Sequence, residues 1–336
     1  MATVASRIGG DDPVAPRRDI APFEVSAFSC EGFWFLCAWR LRHLFRHWDS
    51  DAVFVHTDRE HLVAATACWL GRRGRVIRRV QSGAQLTMGT AGKFANWLSE
   101  TSYLFASEID ARKAGAPRQA RQSIGRLGVD VSRYPDRTVG GQAPRAEDIR
   151  YIICVYDRSS RGRAATAIRT VSMLAPRHPY LRLIIFGAGS DSEDLRMQAA
   201  ALDVMHLVSF LGERDDHLTL MRDAELGWVV AEGDTAAYGI LDLMALGVPV
   251  IAAEGSVAET YVANQISGTL VPPEDASTTA ANVVTLLVSE EQRQAMGAAA
   301  KARVAREFPE TAMIDGFVAA LGAALGAAGA APGAAR

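Results

Sequence analysis

A glycine turn at the end of an apolar run is the first feature of this 336-residue chain that suggests chemistry. Leu181–Phe186 is an apolar, β-branched run that predicts a buried strand, and Gly187-Ala188-Gly189 follows it directly. Because glycine has no Cβ, Gly187 and Gly189 let a ligand approach the backbone closely. A purely structural strand-to-helix turn explains the same glycines, and the third glycine of the dinucleotide-binding pattern is missing. The turn alone leaves both interpretations open.

A second segment with chemical potential is Ala231–Val250. Asp234 or Thr235 is a predicted N-cap for a helix that stops at Gly247, and Pro249 opens the next strand. The N–H groups and the positive dipole end at the start of such a helix can bind a diphosphate. A capped helix without a ligand has the same pattern, so two interpretations again remain.

Both segments belong to an alternation of β-rich runs and helical stretches, which is typical of βα units that form a parallel sheet. The first series has predicted elements at 23–29, 32–47, 52–56, 59–70 and 76–80. The second has strands at 151–156, 181–186, 208–210, 226–230 and 248–252, with helices at 164–174, from about 192, and up to 245. The predicted domains are a disordered leader at 1–21, an abbreviated N-terminal Rossmann-like domain at 22–148 with its linker at 139–144, a C-terminal Rossmann-like domain at 149–310, and a helix with an Ala/Gly-rich tail at 311–336.

From Tyr151 to about Phe308 the chain resembles the nucleotide-sugar-binding domain of group one glycosyltransferases, the retaining enzymes of GT-B architecture. The resemblance rests on an ordered set of motifs: the G-x-G turn, Val208-Ser209-Phe210-Leu211-Gly212, L-D-L-M-A-L-G-V-P-V-I-A, Gly255, Glu259, Gly268 to Pro272, Glu274-Asp275, and Arg293 to Phe308. It implies an α/β fold of two Rossmann-like domains whose parallel sheets face each other across a crevice. It also implies a nucleotide-sugar co-substrate as the donor, with no further cofactor.

Two aspartates occupy the positions of the family's paired glutamates. Asp234 and Asp242 keep the seven-residue separation, but each side chain is one methylene shorter. The resemblance implies that Asp242 binds the donor ribose and that Asp234 faces the sugar as a catalytic group, with Tyr238 and Gly239 as further donor-binding residues. Glu232 is close enough in sequence to take the place of Asp234 through a local insertion.

The family's Arg and Lys that pair with the diphosphate fall on Tyr156 and Arg161. Arg161 is therefore a predicted donor-binding and catalytic residue, because a guanidinium makes bidentate contacts with phosphate oxygens. Arg158 or Arg163 can replace the cation that Tyr156 lacks. A solvated start of the next helix accounts equally well for these arginines.

The N-terminal domain departs further from the family. The family's Gly-Gly loop has no counterpart in a strand–helix context, and its catalytic-region His falls at Gln81-Ser82. His56, at the end of a predicted strand, resembles a strand-end histidine of the family and would point to the crevice where sheet ligands bind. His56, Gln81 and Ser82 are therefore acceptor-side candidates, and a histidine that bonds to a neighbouring loop is the alternative for His56.

The predicted helix at 32–47 has two contrasting faces. One face is an apolar core stripe that consists of Trp34, Cys37, Ala38, Leu41, Leu44, Phe45 and Trp48. The other places aromatic side chains among cations, namely Phe35 and Trp39 with Arg40, Arg42, His43 and Arg46, and five arginines follow between 72 and 79. This combination suits an anionic membrane and a lipid-linked acceptor, a protein acceptor or partner in a complex, or packing within the domain.

Composition and charge narrow the setting of the chain. Residues 1–148 carry 21 Lys/Arg against 16 Asp/Glu, whereas residues 149–336 carry 15 against 22. The acidic second half argues against nucleic-acid binding, which needs cations against phosphates. The sequence has four cysteines without a C-x-x-C pair, no metal-ligand spacing, no run of about eighteen apolar residues, and a start too polar for a secretory signal. We expect a cytoplasmic protein, peripheral at the inner face of the membrane if its aromatic face binds lipid.

The predicted function is transfer of a sugar from a nucleoside-diphosphate-sugar donor to an unknown acceptor. The alternative is an inactive GT-B-fold protein that serves as a binding or scaffold subunit of a larger complex. The shortened carboxylates, Tyr156 in place of a cation and the abbreviated N-terminal domain favour that alternative. A nicotinamide-dependent oxidoreductase is disfavoured, because it would need the third glycine and an acidic partner for the ribose.

Overall fold

The computed structural model describes residues 32–81, 83, 86, 89–117, 120–135 and 149–326, together with the backbone of Val4–Arg7 and Val25–Phe28. The chain divides into two compact units, Met1–Gly125 with Asp315–Arg336, and Arg126–Ile314. This division differs from the predicted boundaries at 148 and 310. The predicted linker at 139–144, most of the predicted leader and the end of the tail lie outside the described residues.

The first unit contains a parallel sheet built from βα units. Its elements are β1 (Val4–Arg7), β2 (Val25–Phe28), α1 (Trp34–His47), β3 (Ala52–Val55), α2 (Asp58–Gly71), β4 (Arg75–Val80), α3 (Thr90–Leu98), β5 (Thr101–Phe105), α4 (Glu108–Lys113) and β6 (Gln122–Ile124). The four-stranded sheet has the order β3-β4-β5-β6, and every neighbouring pair is parallel. β1 pairs in parallel with β2 in a separate sheet, so four residues of the predicted leader form a strand.

Helix α2 starts at a well-formed N-terminal cap. The Thr57 hydroxyl accepts a hydrogen bond from the Glu60 N–H at 3.2 Å, and the Glu60 carboxylate accepts from the Thr57 N–H at 3.3 Å. This reciprocal capping box satisfies two backbone donors that the helix itself leaves without partners. It also fixes the loop that follows β3, where His56 lies.

A polar cluster lies inside the first unit, beneath α2. His61 on α2 and Arg78 on β4 are both buried. His61 Nε2 lies 2.9 Å from the Thr101 hydroxyl, and the Arg78 guanidinium pairs with the Asp58 carboxylate. Burial, and to a smaller extent the positive charge of Arg78, lowers the pKa of His61 from 6.5 to about 4. The folded chain therefore resists protonation of this ring.

The second unit contains a six-stranded parallel sheet. Its strands are β7 (Arg150–Val155), β8 (Leu181–Phe186), β9 (Val208–Phe210), β10 (Leu226–Val229), β11 (Val250–Ala253) and β12 (Gly268–Val271). Its helices are α5 (Arg161–Leu174), α6 (Glu193–Ala201), α7 (His217–Arg222), α8 (Gly233–Ala245), α9 (Ala258–Tyr261), α10 (Ala276–Val288) and α11 (Glu290–Glu307), and α12 (Glu310–Leu325) follows. The strand order β9-β8-β7-β10-β11-β12 is the doubly wound order of Rossmann folds, with its switch point between β7 and β10.

Helices cover both faces of this second sheet. Ile153 and Val155 of β7 belong to an apolar cluster with α8 and α11, whereas Ile152 and Cys154 belong to a second cluster with α5 and α10. Consecutive residues of a strand point to opposite faces, so continuous apolar runs mark a sheet that is buried on both sides. The predicted α/β fold with two Rossmann-like parallel sheets is confirmed for each unit.

The segment 126–135 packs with the second unit, although the sequence placed it in the first domain. The Val129 N–H donates to the Phe308 carbonyl at 3.0 Å, and the Glu310 N–H donates to the Val129 carbonyl at 3.1 Å. A Cβ at Gly128 would lie 2.5 Å from the Pro309 carbonyl oxygen. These backbone contacts connect residues far apart in sequence, which local patterns do not reveal.

We expect acid to destabilise the chain through His61. A ring with pKa about 4 when folded and 6.5 when unfolded binds more protons in the unfolded state, so stability falls as the pH drops through that window. Between pH 7 and pH 4.5 this group alone lowers the free energy of unfolding by about 2 kcal/mol. Urea titrations of the unchanged chain and of His61→Gln at both pH values measure the difference.

The control for this experiment is His43→Gln, which removes an exposed histidine from α1. The pH-dependent loss should shrink in His61→Gln and stay the same in His43→Gln. An equal pH dependence in all three proteins would contradict the role given to His61.

Candidate active site

The carboxyl ends of β7 and β10 adjoin at the switch point of the second sheet, which is where open α/β sheets bind ligands. Asp157 follows β7, and its Oδ2 accepts a hydrogen bond from the Glu232 N–H at 2.6 Å. Its Oδ1 accepts from the Ser159 N–H at 2.8 Å. Asp157 thus ties the loop after β7 to the start of α8. No local motif indicates this role, because the two loops are 75 residues apart in the chain.

The glycine turn after β8 lies directly against the loop after β7. Gly187 has φ +122°, and a Cβ there would lie 2.0 Å from the Tyr156 carbonyl oxygen. The Gly187 N–H donates to the Gly212 carbonyl at 2.8 Å. At Gly189, with φ +80°, a Cβ would lie 2.9 Å from Arg158 Cγ. Close approach of neighbouring loops therefore demands both glycines, whether or not a ligand also uses the opening.

The three predicted arginines lie around this turn, and two of them already have carboxylate partners. Arg161, the first residue of α5, places Nη1 2.8 Å from Asp194 Oδ2. Arg163 places Nη2 2.7 Å from Glu232 Oε1. The Arg161 side chain is 61% exposed, and exposed ion pairs contribute only about 0–1 kcal/mol. Redirecting Arg161 to a phosphate would therefore cost little.

Helix α8 starts earlier than the sequence predicted. Its N-cap residue is Glu232, without a capping bond from its side chain, so the prediction of Asp234 or Thr235 as N-cap is wrong. Gly233 with φ +60° turns the chain into the helix before Asp234, and Asp157 supplies the bond to the Glu232 N–H. Asp234 lies in the first turn, where a negative charge interacts favourably with the helix dipole.

One face of α8 presents the predicted donor-binding side chains on successive turns. Asp234, Tyr238 and Asp242 are spaced four residues apart, which aligns them along the helix. The Tyr238 side chain is 40% exposed. Gly239, by contrast, is buried, and a Cβ there would lie 2.9 Å from Val155 Cγ1. Gly239 therefore permits close helix–strand packing, and its predicted donor contact stays a prediction.

Asp242 lies in a small polar cluster of this second unit. The Tyr134 hydroxyl donates to Asp242 Oδ1 at 2.5 Å, and His217 Nε2 lies 3.9 Å from Oδ2. The His217 ring stacks on Phe186 with 6.2 Å between centroids. Burial raises the pKa of the Asp242 carboxyl, and the Tyr134 hydrogen bond and His217 oppose that rise. Burial and the nearby Asp242 raise the pKa of Tyr134.

The acceptor-side candidates lie in the first unit, after two neighbouring strands. His56 follows β3, is exposed, and donates its N–H to the Glu60 carboxylate at 2.9 Å. Gln81 follows β4 and is also exposed. Because β3 and β4 are parallel neighbours, both residues lie at the carboxyl edge of this sheet. Ser82 is outside the described residues.

Exposed aromatic side chains continue from α1 to α3. Ring contacts of 5.9, 6.2 and 5.9 Å connect the residues that we name the aromatic strip: Phe33, Trp34, Phe94 and Trp97. Trp97 is 75% exposed and Phe33 62%. The predicted face is correct for Trp39, which is exposed with the Arg42 guanidinium 4.8 Å from its ring, and for the exposed Arg46. Phe35 is only half-exposed.

The arginines at 72–79 contribute less to that surface than their number suggests. Arg73 pairs with Asp49 and Asp51, and Arg75 pairs with Glu100. Arg78 is buried against Asp58. Carboxylates therefore neutralise these three cations, and the charge of the surface comes mainly from α1 and α3.

Within the part of the chain that the structure describes, no group of three or more His, Cys, Asp or Glu side chains could hold a metal ion. None of the described helices is long and apolar enough to cross a membrane.

Gly187→Ala should destabilise the second unit strongly. The added Cβ would clash with the Tyr156 carbonyl, and alanine disfavours φ +122°, so we expect a loss of about 3 kcal/mol in the free energy of unfolding. Gly255→Ala is the matched control, because Gly255 has φ +70° but open space around its Cβ, and it should cost only about 1 kcal/mol. Calorimetric unfolding measures both. Equal losses would show that the close approach at Gly187 contributes nothing.

Comparison with known proteins identifies the second half of the chain. Residues 141–303 match the family described as glycosyl transferases group 1. A phosphatidyl-myo-inositol mannosyltransferase of Mycolicibacterium smegmatis is 29% identical over 182 residues, which cover 53% of this chain and 46% of that protein. The matches span less than half the length of the curated relatives.

Solved structures are similar over most of the chain. A glycosyltransferase from Rickettsia africae superposes with a TM-score of 0.76 at 13% identity, covering 93% of this chain and 87% of its own. HepE of Anabaena, in complex with UDP and glucose, superposes with a TM-score of 0.72 at 18% identity, covering 89% and 86%. At such identities the likeness establishes the fold, and the fold is that of GT-B glycosyltransferases. Residues 141–303 are therefore a group 1 glycosyltransferase domain, carried by a chain of GT-B-like α/β fold.

Proposed function

We propose that the protein transfers a sugar from a nucleoside-diphosphate-sugar donor, bound by the second unit, to an acceptor bound by the first. The proposal includes no metal ion: arginines and the N-terminus of α8 balance the charge of the diphosphate. The solved relative HepE holds UDP and glucose, which makes UDP-sugars the first donors to examine.

The observation that carries the proposal is the alignment of Asp234, Tyr238 and Asp242 along α8, starting at the switch point of the sheet. The first-turn N–H groups of an α-helix have no partners inside the helix, and they favour phosphate. Asp242 lies eight residues further, about 12 Å along the axis at 1.5 Å per residue. A diphosphate at the helix start thus leaves its nucleoside near Asp242, whose carboxylate can accept hydrogen bonds from ribose.

In the proposed reaction the bond between the sugar C1 and the diphosphate oxygen breaks, and an acceptor hydroxyl oxygen bonds to C1. The acceptor proton leaves with the diphosphate. Negative charge grows on the departing diphosphate, so cations and backbone donors placed there lower the barrier. Arg161 and Arg158 beside the glycine turn, together with the start of α8, suit this role. Asp234 in the first turn would contact the sugar.

The acceptor that we propose is lipid-linked. The unit that carries His56 and Gln81 also carries the aromatic strip, and its helices α1 and α3 contain Arg40, Arg42, Arg46 and Lys93 but no acidic residue. Aromatic rings and unopposed cations together favour the interface of an anionic membrane. The mannosyltransferase relative has a phosphatidyl lipid in its name. The protein would then be peripheral to the membrane that contains its acceptor.

The donor site predicts selective nucleotide binding. In calorimetric titrations with UDP, GDP, ADP and their hexose conjugates, we expect one base to bind. Asp242→Asn should weaken that binding about tenfold or more, because a charged hydrogen-bond acceptor for the ribose is lost. Donor turnover, measured as released nucleoside diphosphate, should fall with it.

The control is Asp203→Asn, at an exposed turn with φ +57° that asparagine tolerates well. It should bind and turn over the donor like the unchanged chain. If none of the nucleotides binds and no donor is consumed, the chain is a GT-B-fold binding or scaffold subunit and the enzymatic proposal is wrong.

The proposed membrane-binding role of the aromatic strip leads to a separate prediction. The full chain should co-sediment with phosphatidylcholine vesicles that contain phosphatidylglycerol, and much less with phosphatidylcholine alone, because cations of α1 and α3 meet the anionic headgroups. Trp97→Ser should weaken binding about threefold or more by removing apolar area from the interface. Trp69→Ser, at a 52% exposed tryptophan of α2 outside the strip, should not. Equal binding to both vesicle types would refute the membrane role and leave a protein partner for this surface.

A further inference from the structure

His217 Nε2 and Asp242 Oδ2 are neighbours that do not bond directly to each other. The distance of 3.9 Å between Asp242 Oδ2 and His217 Nε2 is too long for a hydrogen bond. The side chains are 15% and 36% exposed, respectively, so solvent reaches both of them in part. Asp242 lies on the face of α8 that also carries Asp234 and Tyr238, about two turns after Asp234.

The other contact of His217 indicates which ring nitrogen carries the hydrogen. Nδ1 lies 3.1 Å from the Arg214 carbonyl oxygen, which can only accept a hydrogen bond. Nδ1 therefore carries the hydrogen, and in the neutral ring Nε2 is an acceptor. Two acceptors, Nε2 and Asp242 Oδ2, then lie side by side without a donor between them. Such a pair needs donors from outside, which water or the hydroxyls of a ligand can supply.

We propose that His217 and Asp242 together bind the vicinal hydroxyls of the donor ribose, one hydroxyl donating to each acceptor. The two oxygens of a cis-diol lie closer together than the two acceptors, so each hydroxyl can point outward to one of them. The inference rests on the proposed donor function and adds His217 as a residue that selects ribose over deoxyribose.

Two neighbours hold these acceptors in place. Tyr134 donates to Asp242 Oδ1, which occupies one carboxylate oxygen and leaves Oδ2 for the ligand. The stacking of His217 on Phe186, with 17° between the ring planes, fixes the imidazole orientation. Tyr134 is thus a positioning residue for a carboxylate that is one methylene shorter than glutamate. All four residues lie in the second unit.

The experiment compares ribose with deoxyribose ligands on the full chain. Calorimetric titration with UDP, GDP and ADP selects the nucleotide that binds, and its 2′-deoxy and 3′-deoxy forms follow. The unchanged chain should bind at least one deoxy form about tenfold or more weakly. His217→Phe keeps a ring that can stack on Phe186 but removes the acceptor. This variant should bind the ribonucleotide more weakly than the unchanged chain does, and its affinities for the ribonucleotide and that deoxy form should differ by less than about threefold. His217→Leu, which also lacks an acceptor, serves if the Phe variant does not fold.

His178→Phe is the matched control, because His178 contacts Tyr180 in the loop that precedes β8, at the opposite edge of the sheet. It should keep both affinity and discrimination. Tyr134→Phe should weaken ribonucleotide binding about threefold to tenfold yet keep the discrimination. If the His217 variants keep the full preference for ribose, this inference is wrong while the donor function stands. The same holds if the unchanged chain binds the ribonucleotide and its deoxy forms equally well. Binding of no nucleotide overturns both.

Discussion

The close packing of α8 against β7 determines the geometry of the second unit's site. Gly239 lets the helix lie so near the strand that a Cβ would clash with Val155. Asp157, directly after the same strand, holds the N–H at the helix start. β7 therefore positions α8 at these two points, and β10 adds a third, since a Cβ at Gly227 would lie 2.3 Å from Leu243 Cδ1. This packing positions the carboxylates along the exposed face of α8. The glycine turn beside Tyr156 and the arginines of α5 lie next to the loop that follows the same strand.

The sequence predicted most of the second unit, because parallel strands that are buried on both faces are continuous apolar runs. Leu181–Phe186 and Val208–Phe210 have the predicted bounds, and α8 ends as Gly247 and Pro249 suggested. The first unit was harder to predict. Its β5, Thr101–Phe105, contains two polar residues that are buried beside His61 and Arg78, so its pattern lacks the apolar signal of a core strand.

The candidate site was predictable only where its residues follow one another in local motifs. The glycine turn, Asp242 and the arginines near Arg161 come from such motifs. Tyr134, Asp157 and His217 do not, since each acts on a residue that is far away in sequence. The predicted start of α8 was wrong for the same reason. A carboxylate from another loop accepts the backbone hydrogen bond that a local cap residue would otherwise accept. Gly239 shows a role that the motif does not indicate, because its missing Cβ lets α8 pack closely on β7.

The two arginine–carboxylate pairs near the glycine turn affect how fast a charged ligand would bind. Arg161 pairs with Asp194 and Arg163 with Glu232, so each of these two cations has a carboxylate beside it. A diphosphate would enter by exchanging partners, with each carboxylate turning to water as its arginine turns to phosphate. Long-range attraction, which speeds association where a cleft has one sign of charge, would add little here. Selectivity would then depend on contacts made after entry rather than on capture of any passing anion.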